Sequence, residues 1–120
     1  MSAKAAKVTD AAANPESPTI LYWSVDVHNQ PILLSAQLFY KKNAQIKYVM
    51  VNCHPTITHD KGCPSGDEPQ LGIVKAVSGE NALVVCPDYI GFGATKKVIH
   101  PYMCSTLTAR NVLDAYKATL

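Results

Sequence analysis

Residues 82–95 read Ala82-Leu83-Val84-Val85-Cys86-Pro87-Asp88-Tyr89-Ile90-Gly91-Phe92-Gly93-Ala94-Thr95. The first four form a short continuous apolar run, the pattern of a strand buried on both faces of a parallel sheet. The run gives way to a polar loop with an aspartate and two closely spaced glycines. Ligand sites of open α/β sheets gather at the carboxyl ends of the strands. An aspartate at such an end can cap the turn, and Gly91 and Gly93 let the backbone bend or approach closely where a Cβ would clash. A plain structural turn without chemistry also accounts for the segment.

Working outward, a second continuous apolar run lies upstream at Tyr48-Val49-Met50-Val51. Between the two runs stand a long loop, His54 to Glu68, and a short helix predicted over Pro69 to Ser78. Pro69 suits a first helical turn and Gly79 suits the stop. Strand, helix and strand at this spacing make a βαβ unit with a right-handed crossover. Further upstream the period drops to two. Leu21, Trp23, Val25 and Val27 alternate with Tyr22, Ser24 and Asp26, and then Ile32, Leu34, Ala36 and Leu38 alternate with Ser35 and Gln37. With turn residues His28 to Pro31 between them, these segments predict an antiparallel hairpin.

Downstream, Ser105 is the expected N-cap of a helix whose Ala109, Val112, Leu113, Tyr116 and Leu120 form an apolar stripe. The predicted fold class is therefore α/β: an N-terminal antiparallel hairpin, then a parallel βαβ unit and a crossover helix. Residues 1–18 are expected to be a flexible leader and 19–120 the folded part. A crossover helix calls for another parallel strand behind it, so the chain is expected to be incomplete.

Composition narrows the function. Of 120 residues, 48% are hydrophobic and 17% charged, as in globular proteins. The net charge of +2 comes from eleven basic residues spread along the chain, of which only Arg110 is an arginine. Nucleic-acid binders carry clustered basic faces, so nucleic acid is not an expected partner. No apolar run reaches the roughly 20 residues that span a bilayer, and the Ala/Lys/Asn/Glu-rich start has no signal-peptide core.

The Cys86–Thr95 segment, set after its strand, resembles the Pro-Asp-x-x-Gly-x-Gly-x-Ser/Thr loop of the α/β-hydrolase superfamily. Tyr48-Val49-Met50-Val51-Asn52-Cys53-His54-Pro55-Thr56 is similar to that family's third strand running into its His-Gly oxyanion-hole loop. Val98-Ile99-His100-Pro101-Tyr102 and the helix with Thr108 to Asp114 resemble the approach to the nucleophile strand. From Thr19 to Leu120 the chain looks like the N-terminal part of a secreted bacterial lipase- or esterase-like hydrolase, and more distantly like fungal secretory lipases. The resemblance implies a partial α/β-hydrolase fold, an ester-type small-molecule or lipid substrate, no cofactor and no metal. It also implies a secreted or cell-envelope location.

The family's catalytic serine sits in Gly-x-Ser-x-Gly at a strand-to-helix turn, followed by an acid and a histidine. Ser65 and Ser78 lack that setting, and none of the four histidines matches the family's catalytic one. The triad is absent from these residues. The resemblance leaves His54, Pro55 and Thr56 as the oxyanion-hole loop and Asp88, Tyr89, Gly91 and Gly93 as a site-shaping loop. Pro55 departs from the pattern, because proline replaces the glycine and has no N–H to donate. Thr56 becomes the candidate donor, through its backbone N–H or its hydroxyl, with His54 holding the loop.

Other groupings have simpler explanations. Cys53, His54, His59 and Cys63 are zinc-ligand types, but the spacing is wrong for a structural site. A Cys53–Cys63 disulfide ranks ahead of zinc, in an oxidising compartment only, and Cys86 reads as a small hydrophobe. Tyr22, Trp23, Phe39 and Tyr40 at strand spacing read as hairpin core and cross-strand pairs rather than a ligand platform. His100-Pro101-Tyr102 suits either an acyl-pocket lining or a loop anchor.

The expected function is thus a fragment of a serine carboxylic-ester hydrolase, inactive alone. The alternatives are a stand-alone interaction domain or a fragment of a peptidase of the same superfamily. In either case the edge of Tyr48–Val51 is expected to lie bare and to promote self-association.

Overall fold

The computed structural model describes residues 5–9, 18–41, 45–66 and 81–120. The helix expected over Pro69 to Ser78 lies outside them. Five strands, β1 (Ala5–Thr9), β2 (Thr19–Val25), β3 (Pro31–Phe39), β4 (Tyr48–Val51) and β5 (Ala82–Pro87), form one sheet in the order β1-β2-β3-β5-β4. Helix α1 (Ser105–Ala118) covers one face. The architecture is α/β. Strand β1 lies inside the stretch read as leader and pairs antiparallel with β2, Val8 opposite Ile20.

The hairpin forms because its turn is well made. The Asp26 carboxylate accepts from the backbone N–H of His28 at 2.8 Å and of Gln30 at 2.9 Å. Asn29 supplies the left-handed residue at φ 59°, a conformation that asparagine tolerates better than most side chains. Ser24 thereby faces Ile32 and Tyr22 faces Leu34.

The two-residue alternation of β2 holds, and its buried face is the one that carries Tyr22 and Ser24. Ile20, Tyr22 and Ser24 are buried, while Trp23 of the more apolar set is 39% exposed. Polar partners decide this. The Tyr22 hydroxyl donates to the carbonyl of Asn111, and Ser24 Oγ donates to Asp114 Oδ2 at 2.7 Å, so both hydroxyl groups are satisfied under α1.

Strand β5 is the hinge of the topology. It pairs antiparallel with β3, Leu38 opposite Val85, and parallel with β4, Val51 opposite Val85. Val84, Val85 and Cys86 are all fully buried, as a strand enclosed on both faces requires. One side of the sheet carries the core of Ile20, Tyr22, Leu34, Ala36, Val85, Ile90 and Ala115, and the other a smaller cluster of Ala82, Val84 and Cys86. Strand β4 takes the sheet edge and is only half-buried, with Tyr48 47% exposed.

The N-cap of α1 falls one residue before the expected one: Cys104 occupies that position and Ser105 is the first helical residue. Its orientation too is set by polar partners. Asn111, Asp114 and Ala115 are buried against the sheet, whereas the apolar Leu113 is 47% exposed. Asn111 Nδ2 donates to Ser24 Oγ at 2.7 Å and to the carbonyl of Val25 at 3.0 Å. Arg110 Nε donates to Asp114 Oδ2 at 2.8 Å. This network ties helix to hairpin, and the stripe of Ala109, Val112, Leu113 and Tyr116 faces a groove beside β4 instead. No described helix is long and apolar enough to cross a membrane.

Candidate active site

The loops after β4 and β5 leave the carboxyl ends of two adjacent parallel strands and meet. Asp88, fully buried, is the knot between them. Its Oδ2 accepts from Ser35 Oγ on β3 and from Ser65 Oγ in the long loop, and its Oδ1 accepts from the Ser65 N–H at 2.9 Å. The aspartate expected to cap its own turn instead ties three distant segments together. Burial pushes its carboxyl above the ordinary carboxylate range, and the Ser35 and Ser65 hydrogen bonds pull against that shift.

Gly93 makes the knot possible. It stands at φ +60°, and a Cβ there would lie 2.2 Å from Ser35 Oγ and 2.3 Å from Asp88 Oδ2. Its N–H donates to Asp60 Oδ1 at 2.6 Å, while the next N–H, of Ala94, donates to Ser35 Oγ at 2.9 Å. Gly91, at φ +96°, accepts the backbone of His100, whose Cα would meet an added Cβ at 2.7 Å.

His54 joins the two loops above this base. Its Nε2 lies 2.9 Å from the carbonyl oxygen of Asp88 and its Nδ1 lies 2.7 Å from that of Pro55. Carbonyl oxygens only accept, so a neutral ring donates to one of the two and rests its other nitrogen against the second, which sets it between the two loops. Tyr89 stacks on it with ring centroids 4.0 Å apart and donates its hydroxyl to the His54 carbonyl at 3.0 Å. Tyr89 is held at φ 76°, a left-handed conformation that is uncommon for a bulky residue and concentrates at functional sites. Burial, with the nearby Cys53 second, raises the pKa of its hydroxyl.

These residues wall a cavity of about 420 Å³ lined by His54, Pro55, Thr56, Tyr89, Phe92 and His100 on the loop side, with Ser105 and Thr108 from α1. Every residue of the 54–56 loop thus reaches the same cavity as Tyr89, while Asp88, Gly91 and Gly93 lie beneath it as supports. Thr56 is exposed on the cavity wall. A second, more apolar groove of about 800 Å³ runs between the edge of β4, unpaired among the described residues, and α1, lined by Val51, Cys53, Ala109, Val112, Leu113 and Tyr116.

The four cysteines are free thiols. Cys63 is buried beside Asp60 and Ser65 rather than joined to Cys53. Desolvation, with the Asp88 charge second, pushes its thiol up to about 12, and burial does the same to Cys86. Among the described residues no three His, Cys, Asp or Glu side chains are grouped to hold a metal ion. Sequence reading missed the serine partners of Asp88, the strained Tyr89 and its stack on His54, and the seating of His100 on Gly91. Only the Gly-x-Gly spacing hinted at the last.

No family model matches the sequence, and no curated protein matches it. Solved structures do match. The chain superposes on the rice cell wall degrading esterase LipA from Xanthomonas oryzae with TM-score 0.63 and 16% identity, covering 99% of this chain and 36% of that one. A protein of Legionella pneumophila assigned as a hydrolase gives TM-score 0.72 at 16% identity, covering 99% and 38%. Candida antarctica lipase A in its closed state gives 0.54 at 15%, covering 99% and 30%. The likeness shows the fold: the chain has an α/β architecture shared with part of these esterases and lipases. It spans little more than a third of the length of the esterase and the Legionella protein.

Proposed function

We propose that the chain supplies the oxyanion-stabilising half of a carboxylic-ester hydrolase whose nucleophile comes from outside these 120 residues. One observation carries this reading: the 54–56 loop and the Tyr89 loop converge on one cavity at the carboxyl ends of parallel β4 and β5. That is where open α/β sheets place their sites. The esterase and lipase neighbours support the reaction class.

In this reading Thr56 donates its backbone N–H to the developing oxyanion, Pro55 having none to give. His54 positions that loop, since both of its ring nitrogens lie against backbone carbonyl oxygens of the two loops. Asp88 and Gly93 hold the two loops in register. The apolar groove beside β4 receives a further parallel strand. An incoming strand would satisfy the open edge of β4 and cover the Val112 and Leu113 face of α1, both of which line that groove or border it.

The test is p-nitrophenyl butyrate turnover. The 120-residue chain should give none above buffer. A polypeptide extended with the residues encoded after the Leu120 codon should turn over the ester and be trapped by a serine-directed phosphonate. In that extended form, Thr56→Pro, which removes the proposed donor, should lower the rate by about 10²–10³, as loss of one oxyanion donor does elsewhere. Phosphonate-sensitive turnover by the 120 residues alone would overturn the placement of the nucleophile.

A further inference from the structure

The cavity also constrains what it can hold. Among the described residues that line it there is no Asp, Glu, Lys or Arg. An ion buried there would lack a partner, and an unpaired buried charge is costly, so the ligand it favours is uncharged. Its volume of about 420 Å³ falls within the roughly 300–1,000 Å³ of small-molecule sites.

The wall is aromatic. His54 stacks on Tyr89, and Phe92 packs against His100 with centroids 5.1 Å apart. Tyr102 stands 6.4 Å from His100 and is 62% exposed at the rim. Flat faces of this kind favour a ring over an extended chain, because offset and edge-on ring pairs add to area burial.

His100 sets the polarity. Its Nδ1 lies 2.7 Å from the carbonyl oxygen of Ile90. A carbonyl only accepts, so Nδ1 carries the hydrogen, and in the neutral ring Nε2 is left with a lone pair. Nε2 has no hydrogen-bond partner among the described residues. The ring is also fixed in place, because the His100 backbone rests on Gly91 where a Cβ would collide.

We propose that this cavity binds an uncharged hydroxylated aromatic ring, of the phenol class, with the ring against the Phe92–Tyr102 wall and the hydroxyl donated to Nε2 of His100. The inference deepens the ester-hydrolase reading and rests on it for one point, that the bound ring belongs to the substrate. Binding itself does not depend on catalysis.

The experiment titrates the ¹⁵N-labelled 120-residue chain with p-cresol at pH 8. The comparison ligand is 4-methylanisole, which keeps the ring and lacks the donor. The first should bind saturably with shifts centred on Phe92, His100 and Tyr102, and the second at least about five-fold more weakly, the worth of one net hydrogen bond. His100→Asn keeps a donor for the Ile90 carbonyl but removes Nε2. It should weaken p-cresol by about the same factor and leave 4-methylanisole unchanged.

Equal binding of the two ligands to the unaltered chain would overturn the proposal without recourse to any variant. So would absence of saturable binding, or a folded His100→Asn chain that binds p-cresol as before. Intact His100-dependent p-cresol binding with no ester turnover by the extended polypeptide would instead overturn the hydrolase reading alone. Turnover without p-cresol binding would overturn only this one.

Discussion

Gly93→Ala tests whether the Asp88 knot holds the site together. Gly93 sits at φ +60° with its absent Cβ 2.2 Å from Ser35 Oγ and 2.3 Å from Asp88 Oδ2. Neither neighbour can yield cheaply, because Ser35 Oγ also accepts from Ala94 N–H and Asp88 is pinned by Ser65. The left-handed backbone costs an alanine about 1–2 kcal/mol, and forcing a methyl into a packed site costs about 1–3 kcal/mol more. The expected loss is therefore about 2–5 kcal/mol, a large share of the roughly 5–15 kcal/mol typical of a domain. Gly62→Ala is the matched control. Its Cβ would meet His59 Cε1 at an ordinary 3.5 Å, and a surface change of this kind should stay within about 0.5 kcal/mol. Urea unfolding followed by circular dichroism and by Trp23 fluorescence reads both variants. A Gly93→Ala midpoint equal to that of Gly62→Ala, with unchanged slope, would refute the knot as a stabilising element.

The same contacts set further outcomes. Asp114→Ala removes the acceptor of Ser24 and Arg110 and should cost about 1–3 kcal/mol in urea unfolding, as loss of a buried partner does; no change would mean the α1–hairpin network contributes nothing. Burial raises the Asp88 pKa above its ordinary 3.8, and a raised folded pKa contributes stability that is full below the unfolded value and is lost as pH rises through the folded one. The stability of the unaltered chain relative to Asp88→Asn should therefore fall as pH rises from about 3.8, and a pH-independent difference in parallel unfolding titrations would contradict the assignment. The open β4 edge and its apolar groove should make the 120-residue chain self-associate, and Leu113→Lys should shift it toward monomer in sedimentation velocity. A monodisperse monomer for the unaltered chain at all concentrations would count against the groove as a contact surface.

What could be read from sequence was local. The β5 run, its Pro-Asp exit and the Gly-x-Gly spacing are contiguous signals, and the hairpin carries its own turn chemistry in Asp26 and Asn29. What could not be read depends on partners far along the chain. Asp88 reads as a cap for its own loop because Ser35 lies 53 residues away and Ser65 23 residues away. Which side of β2 is buried could not be read, because Tyr22 and Ser24 find their acceptors on α1, about 90 residues on. A period-two pattern records polarity alone and does not show which hydroxyls have buried partners. Strand β1 is hidden for a related reason: Ala5–Thr9 has little strand character of its own, and pairing with β2 makes it a strand.

The orientation of α1 joins these points to function. Read as an isolated helix, its apolar stripe should bury and its Asn111–Asp114 side should face water. The reverse holds here: the hydrogen-bonded side lies on the sheet, and the stripe faces the β4 groove. Such a helix spends its polar residues on one contact and leaves its apolar ones for another. One partner is the hairpin. The groove that the other would fill ends beside Tyr89, Ser105 and Thr108, which also line the candidate active-site cavity. A parallel strand added there, as the proposed function requires, would bring its own carboxyl end to the His54–Thr56 loop, where that proposal places the nucleophile.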